Sequence, residues 1–401
     1  MTTRRFQYVI VGAGLAGDSA AAAIRERDPQ GSVLMIGHEE HLPYDRPPLS
    51  KQLWFGRKKL EEIFYHDRRH YDRSGIELAL GARIVTLDPA RKLLTDARGQ
   101  AYLFDKLLLA TGGVPRKLSI PGGDLDGICY FRTVNDYRRL REAAAGGGSA
   151  VVIGGGFIGS EIAAGLSANG VNVTMIFPAP YLCRRVFPPA LGRAIQAEYE
   201  RRGVTMVTET QPAEISRQDS KYVTRTRAGR RIESDLVVAG IGINPAADLA
   251  AGAGLRIGNG IAVNEFLQTS HPDIYAAGDN ACFPYAATGE RTRVEHWDNA
   301  LNQGKYAGWN MTGAREPYAY MPFFFSDLFE FGYEAVGETN GAFSTVADWQ
   351  GENRTGVIYY LREGKVWGVM LCNVWEKVDQ ARALIREGRR WTADSLRGVI
   401  R

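Results

Sequence analysis

The chain has 401 residues, 45% apolar and 23% charged, enough for roughly two or three globular domains with a large buried core. Its formal net charge of +4 is too small to argue for nucleic-acid binding by charge alone, and no run of about 18 apolar residues suits a membrane span. Four cysteines (Cys129, Cys183, Cys282, Cys372) lie far apart with no Cys-x-x-Cys pair, which speaks against a disulfide framework and for a reducing, cytoplasmic compartment.

The opening MTTRRFQYVIVGAG carries two arginines and a short apolar run that enters a glycine turn at once. It reads as a buried strand over 8–11, not as a signal peptide. GAGLAG follows, then an alanine-rich helix over 18–27 and a strand in SVLMIG (32–37), together a β-turn-α-β unit. HLPYDRPPLSK (41–51) is a stiff, basic elbow. Pro47 is expected to force Arg46 into an extended conformation. Pro47 and Pro48 suit the start of a helix, which places Lys51 on its first turn. LLLATGGVPRKLSIPG (107–122) reads as a strand, a glycine turn and a Pro-punctuated exit from the first domain. GGGS (146–149) reads as a hinge, and AVVIGGGFIGSEIAAGLSANGVNVTMIF (150–177) repeats the β-turn-α-β pattern. LVVAGIGINP (236–245) reads as the return. TSHPDIYAAGDN (269–280) predicts a strand over 274–277 and a glycine turn, with Asp279 exposed at the start of a following helix. From Met321 aromatics and alternating strands dominate, with a tight turn at Arg362–Gly364 and a helix from about 376 to 387. The expected fold class is α/β: two Rossmann-like dinucleotide-binding domains, residues 1–116 with 239–320 and residues 117–238, plus a C-terminal α+β domain over 321–401.

Gly12, Gly14 and Gly17 fit G-x-G-x-x-G, with a strand before and a helix after as the confirming context. The first glycine makes the tight turn, the second lets a pyrophosphate approach the backbone, and the third packs helix on strand. The phosphates then sit on the helix N-terminus, where free N–H groups and the dipole favour anions. Gly154, Gly156 and Gly159 repeat the device. Two dinucleotide sites in one chain imply two dinucleotides, and a flavin with a nicotinamide is the chemically sensible pair. Asp279 offers an acceptor suited to a sugar hydroxyl; its bland alternative is an ordinary helix N-cap.

GDN after an apolar strand, ATGG (110–113) and the paired glycine units resemble the two-dinucleotide-binding-domain, glutathione reductase-like flavoprotein reductases. The resemblance covers essentially the whole chain. PYDRPPLSK, VEHWDNALNQG (294–304) and MPFFFSD (321–327) look like the branch that contains oxygenase-coupled ferredoxin reductases, apoptosis-inducing factor and monodehydroascorbate reductase. It implies FAD on the first glycine unit, with Asp279 on the ribityl chain, and NADH or NADPH on the second. Lys51 is then expected near the flavin ring, paired with Glu161, and Arg46 nearer the ribose and phosphates. Phe157 gates the nicotinamide pocket or simply packs its helix, with Ile158 beside it. Glu295, His296, Trp297 and Phe325 fall on the other side of the ring, Phe325 standing where relatives have tryptophan. Thr111, Gly112, Arg116 and Gly242 complete the expected cofactor contacts. The chain departs from the pattern at His38, where relatives usually carry the acid that grips the adenosine ribose; Glu39 is the substitute. After the strand over 171–177 no acid occurs until Glu198, and Arg184 and Arg185 suit a 2′-phosphate. Coenzyme preference stays open.

In the disulfide-reducing relatives a cysteine pair takes electrons from the flavin, and here no cysteine precedes Cys129. The resemblance therefore implies an FAD-dependent NAD(P)H reductase whose electrons leave without sulfur, most readily to a ferredoxin. The alternatives are reduction of a small radical or quinone, and a redox sensor like apoptosis-inducing factor, on the strength of YEAVGE (333–338) and NMTG (310–313). Basic clusters such as 57–59, 138–141 and 201–202 are either solvated faces or a patch that steers an acidic partner protein. No metal ligand set is expected, and the chain is read as a monomer or homodimer.

Overall fold

The computed structural model describes residues 3–285 and 288–401. The chain divides into two compact units. Unit 1 comprises Met1–Asp45, Glu61–Val114 and Asn244–Pro322; unit 2 comprises Arg46–Leu60, Pro115–Ile243 and Phe323–Arg401. The Arg46–Lys51 half of the proline elbow and the C-terminal residues from Phe323 onward thus both belong to unit 2.

Unit 1 is built on a parallel sheet ordered Ile76–Ala79, Val33–Ile36, Arg4–Val11, Ala101–Leu109, with Ile274–Ala276 on the far side of Leu107–Leu109. Val9, Ile10, Leu34, Met35, Leu107 and Leu108 are fully buried. Such unbroken apolar runs belong to strands covered on both faces. An antiparallel meander through Leu93–Asp96 and Ile84–Asp88 extends the sheet from the start of Ala101–Leu109. The alanine-rich helix spans Leu15–Arg27 and packs against the helix Trp297–Met311. A Cβ on Gly304 or Gly308 would lie 2.3 or 2.5 Å from the Ala16 or Ala20 carbonyl oxygen, so small residues on both helices set this close approach.

Unit 2 carries a parallel sheet ordered Thr205–Val207, Asn172–Ile176, Ser149–Ile153, Leu236–Ala239, Cys129–Tyr130. The helix Phe157–Ala168 follows the second glycine turn. A three-stranded antiparallel sheet fills the crossover between Thr205–Val207 and Leu236–Ala239. The C-terminal residues form a five-stranded antiparallel sheet ordered Phe323–Leu328, Phe331–Gly337, Lys365–Cys372, Thr355–Arg362, Ser344–Gly351, covered by the helix Val378–Glu387. Glu363 and Gly364 take positive φ of 54° and 76°, closing the two-residue hairpin loop expected at this point.

Three local expectations need correction. Asp279 does not start a helix. The turn Gly278–Asn280 leads into the strand Ala281–Pro284, whose Ala281 and Cys282 pair in parallel with Ile261 and Ala262, and Asp279 is 9% exposed. Arg46 is not extended: its φ of −79° and ψ of −38° are helical, because it caps a 3₁₀ turn over Pro47–Leu49 and accepts from the Leu49 amide at 3.0 Å. That turn gives way to irregular turns, so Lys51 lies beyond the 3₁₀ turn instead of on an α-helix.

Candidate functional site

The two glycine turns are near copies. Gly12 and Gly154 have φ of 122° and 119°, reachable only without a side chain. A Cβ at Gly12 would lie 2.0 Å from the Ala110 carbonyl oxygen, and one at Gly154 2.3 Å from that of Gly240. The third glycines seat the helix on the turn: a Cβ on Gly17 or Gly159 would lie 2.0 Å from the carbonyl oxygen of Gly12 or Gly154. The middle glycines differ. A Cβ on Gly14 or Gly156 would meet nothing within 4 Å, so nothing in the fold itself forbids a side chain there. Both are N-cap residues without a side-chain cap, which leaves first-turn N–H groups available to an anion. Each turn therefore fits a dinucleotide pyrophosphate, with its open glycine where the ligand backbone must come close.

Further groups gather around the first turn within unit 1. Thr111 Oγ1 donates to the Ala246 carbonyl at 2.5 Å and accepts from Asn280 Nδ2 at 2.8 Å; that amide also donates to the Leu109 carbonyl at 3.0 Å. The turn Gly278–Asn280 is thereby fastened to the strand exit that carries Gly112. Gln303 Oε1 accepts from the Gly278 amide at 2.9 Å. Asn280 Oδ1 and Gln303 Nε2 are buried without a hydrogen-bond partner, which leaves polar capacity for a bound group. Arg293 Nη1 donates to the Asp279 carbonyl at 2.9 Å and to Glu295 Oε1 at 2.6 Å, drawing Asp279 and the exposed Glu295 together. His296 caps the helix Trp297–Met311, and burial pushes its imidazole down to about 4 against the opposing pull of Asp279. His38 is exposed beyond the strand Val33–Ile36, whereas Glu39 accepts from Tyr44 Oη at 2.7 Å.

Unit 2 holds a buried ionic cluster. Lys51 is 7% exposed and Glu161 3%. Their Nζ and Oε1 atoms are 3.1 Å apart. Ser50 Oγ donates to Glu161 Oε2 and Ser326 Oγ to Glu161 Oε1, each at 2.5 Å. The carboxylate is thus saturated by a cation and two hydroxyls. Such a pair adds little net stability but fixes geometry. Lys51 Nζ lies 5.0 Å from the centre of the Phe325 ring, within cation–π range. Phe157 is half-buried and packs on Phe324 with ring centres 4.4 Å apart, while Ile158 is 39% exposed. Burial pushes the nearby Asp327 carboxyl up, opposed by Lys51 and reinforced by Glu161. Ser50, Ser326 and Asp327 escape a reading by motif, although they stand inside the stretches PPLSK and FFFSD.

Local packing explains how the elbow reaches Glu161. Trp54 lies over Gly165 of the helix Phe157–Ala168, where a Cβ would come 2.7 Å from Trp54 Cγ. Trp54 Nε1 donates to the Leu49 carbonyl at 2.8 Å, and Asn169 Nδ2 donates to the Trp54 carbonyl at 2.9 Å. Arg46 Nη1 donates to the Arg132 carbonyl at 2.9 Å. The remaining candidates lie apart from this cluster along the chain. The Arg116 amide donates to the Gly242 carbonyl at 2.9 Å, and Gly242 has a φ of 100°. Arg184 and Arg185 are exposed on the loop after Asn172–Ile176.

All four cysteines are free thiols. Cys183, Cys282 and Cys372 are buried, and burial raises the Cys129 and Cys183 thiols to about 12 and that of Cys372 further. None of the three raised thiols is an available thiolate near neutral pH. Among the described residues no group of three or more His, Cys, Asp or Glu side chains is arranged to hold a metal ion, and no helix is long and apolar enough to cross a membrane.

Residues 6–304 match the family "Pyridine nucleotide-disulphide oxidoreductase", and residues 307–355 match "Apoptosis-inducing factor, mitochondrion-associated, C-term". The chain is 36% identical over 394 residues to the ferredoxin reductase subunit of the 5,5'-dehydrodivanillate O-demethylase of Sphingobium sp., covering 98% of this chain and 96% of that one. Among solved structures it is similar to the ferredoxin reductase for the CYP199A2 system of Rhodopseudomonas palustris, with a TM-score of 0.91 and 31% identity over 97% of this chain and 96% of that one. It is equally similar, at a TM-score of 0.91 and 30% identity over 97% and 95% of the two chains, to the reductase in a covalent putidaredoxin reductase–putidaredoxin complex.

Proposed function

This chain belongs to the pyridine nucleotide-disulphide oxidoreductase family, and we propose that it is the reductase of a ferredoxin. It is an NAD(P)H-dependent flavoprotein oxidoreductase of the ferredoxin reductase type. The observation that carries the choice of acceptor is the pairing of two dinucleotide-shaped glycine turns with thiols that are buried or hold their protons tightly. FAD, when bound, supplies the conversion between two-electron hydride chemistry and single-electron release. With no thiol suited to relay electrons, a diffusing protein carrier is the natural recipient. The full-length relatives named as ferredoxin reductases support this.

Within that reading each residue has a bounded task. Gly12, Gly14 and Gly17 seat the FAD pyrophosphate on the helix Leu15–Arg27, and Asp279 and Thr111 serve its sugar-like chain. Gly154, Gly156 and Gly159 seat the NAD(P)H pyrophosphate. Lys51 is a cation held in a fixed place by Glu161, Ser50 and Ser326; its charge favours electron-rich states of a neighbouring group, and its position needs no rearrangement during turnover. Phe325 gives it an aromatic face. Positioning, not nucleophilic attack, is what these side chains contribute.

The test is turnover with an acidic [2Fe–2S] ferredoxin compared with a neutral quinone, at low and high salt. The reading requires NAD(P)H-dependent ferredoxin reduction that falls with ionic strength while quinone reduction does not. Quinone reduction far exceeding ferredoxin reduction at every salt concentration would instead assign a small-molecule acceptor.

A further inference from the structure

A dinucleotide turn distinguishes its two coenzymes at the adenosine ribose. An acid at the end of the second strand binds a free 2′-hydroxyl, whereas an arginine accommodates a 2′-phosphate. In unit 2 that strand is Asn172–Ile176, and it runs into Phe177-Pro178-Ala179-Pro180. Phe177 is 1% exposed and lies behind the turn: a Cβ on Gly155 would be 2.6 Å from its Cγ. Pro178 and Pro180 are exposed, and neither has an N–H to offer. From Asn172 the chain carries no carboxylate side chain until Glu198.

The loop then returns to the glycine turn. The Cys183 amide donates to the Gly155 carbonyl at 2.8 Å, and Cys183 takes a φ of 53°. Arg184 and Arg185 come directly after it. Both are exposed, and no ion pair engages either guanidinium among the described residues. Their backbone is held: the Gly341 amide donates to the Arg185 carbonyl at 2.9 Å, a Cβ on Gly341 would lie 2.3 Å from the Arg184 carbonyl oxygen, and Tyr360 Oη donates to the Val186 carbonyl at 2.8 Å. Two arginines with a held backbone and unengaged side chains thus directly follow a residue that is hydrogen-bonded to a dinucleotide turn lacking the acid. Glu209, two residues beyond the next strand Thr205–Val207, reaches this loop with its amide donating to the Ala179 carbonyl at 3.3 Å, and its side chain is exposed.

We propose that the coenzyme seated on the second glycine turn carries a 2′-phosphate, held by Arg184 and Arg185, so that this chain prefers NADPH to NADH. The proposal rests on the reading of that turn as the NAD(P)H site. The test is isothermal titration of the FAD-loaded protein with 2′,5′-ADP and with 5′-AMP, which isolate the ribose phosphate from the redox chemistry. Wild type binds 2′,5′-ADP at least about tenfold more tightly, the lower end of what a charge-assisted contact contributes. R184A/R185A removes that advantage and leaves 5′-AMP affinity within about threefold, and A179E shifts selectivity the same way by placing a carboxylate beside the phosphate. E209Q leaves the preference for 2′,5′-ADP in place. In steady state, the NADPH-to-NADH ratio of kcat/KM follows the same order. Equal or tighter binding of 5′-AMP by wild type, or an unchanged ratio in R184A/R185A, overturns the proposal alone. Failure of both probes to bind overturns it together with the reading of the second turn.

Discussion

Replacing Glu161 with glutamine keeps the shape of the side chain and removes the charge that faces Lys51. The pair is separated by 3.1 Å, and its members are 7% and 3% exposed. Coulomb's law at an effective dielectric of about 20 puts the attraction at about 5 kcal/mol. That agrees with the roughly 3–5 kcal/mol lost when one partner of a buried pair is deleted and the other is left uncompensated. E161Q should therefore lower the unfolding free energy by about that amount in urea at neutral pH. The double variant K51M/E161Q should recover most of the loss, since removing both charges also removes their desolvation. Additive losses in the double variant, or a loss below about 1 kcal/mol in E161Q, would refute the claim that a buried, mutually dependent ion pair stands at this position.

The open glycines separate the two dinucleotide sites without disturbing the fold. G14V should yield a folded protein that loses FAD, and G156V a yellow protein whose affinity for NAD(P)H drops more than about tenfold, about 1.4 kcal/mol; fluorescence quenching on titration reads both. G165A drives a methyl to within 2.7 Å of Trp54 and should cost about 1–3 kcal/mol, seen as a lower melting temperature together with a shift in Trp fluorescence. His296 gives a pH signature: its folded imidazole is pushed down to about 4, below the ordinary value of about 6.5. The unfolded chain then binds a proton that the folded chain refuses, so stability falls as pH drops from about 6.5 to about 4, by up to about 3 kcal/mol. H296N should flatten that slope in urea titrations.

The fold class is legible in local pattern because both glycine turns rest on contacts that only glycine permits, between residues close to an unbroken apolar strand. Gly12 and Gly17, like Gly154 and Gly159, announce themselves by spacing because the helix start touches its own turn. Asp279 is the opposite case. The element after Gly278 is decided by pairing of Ala281 and Cys282 with Ile261 and Ala262, which no local pattern displays. Arg46 shows a local rule overridden: the preference for an extended residue before proline yields to a 3₁₀ turn that Leu49 closes. Ser50 and Ser326 are ordinary serines in sequence. They acquire meaning only when the helix Phe157–Ala168 and the strand Phe323–Leu328 pack together and place Glu161 between their hydroxyls.

The central claim is that reducing equivalents pass through this chain with no sulfur relay. Anaerobic reductive titration of the FAD-loaded protein, with thiols counted before and after, measures this directly. Bleaching of the flavin by one two-electron equivalent per chain, with the same four thiols reactive in the unfolded protein on either side of the titration, is the predicted outcome. Uptake of a second two-electron equivalent together with two newly reactive thiols would contradict it.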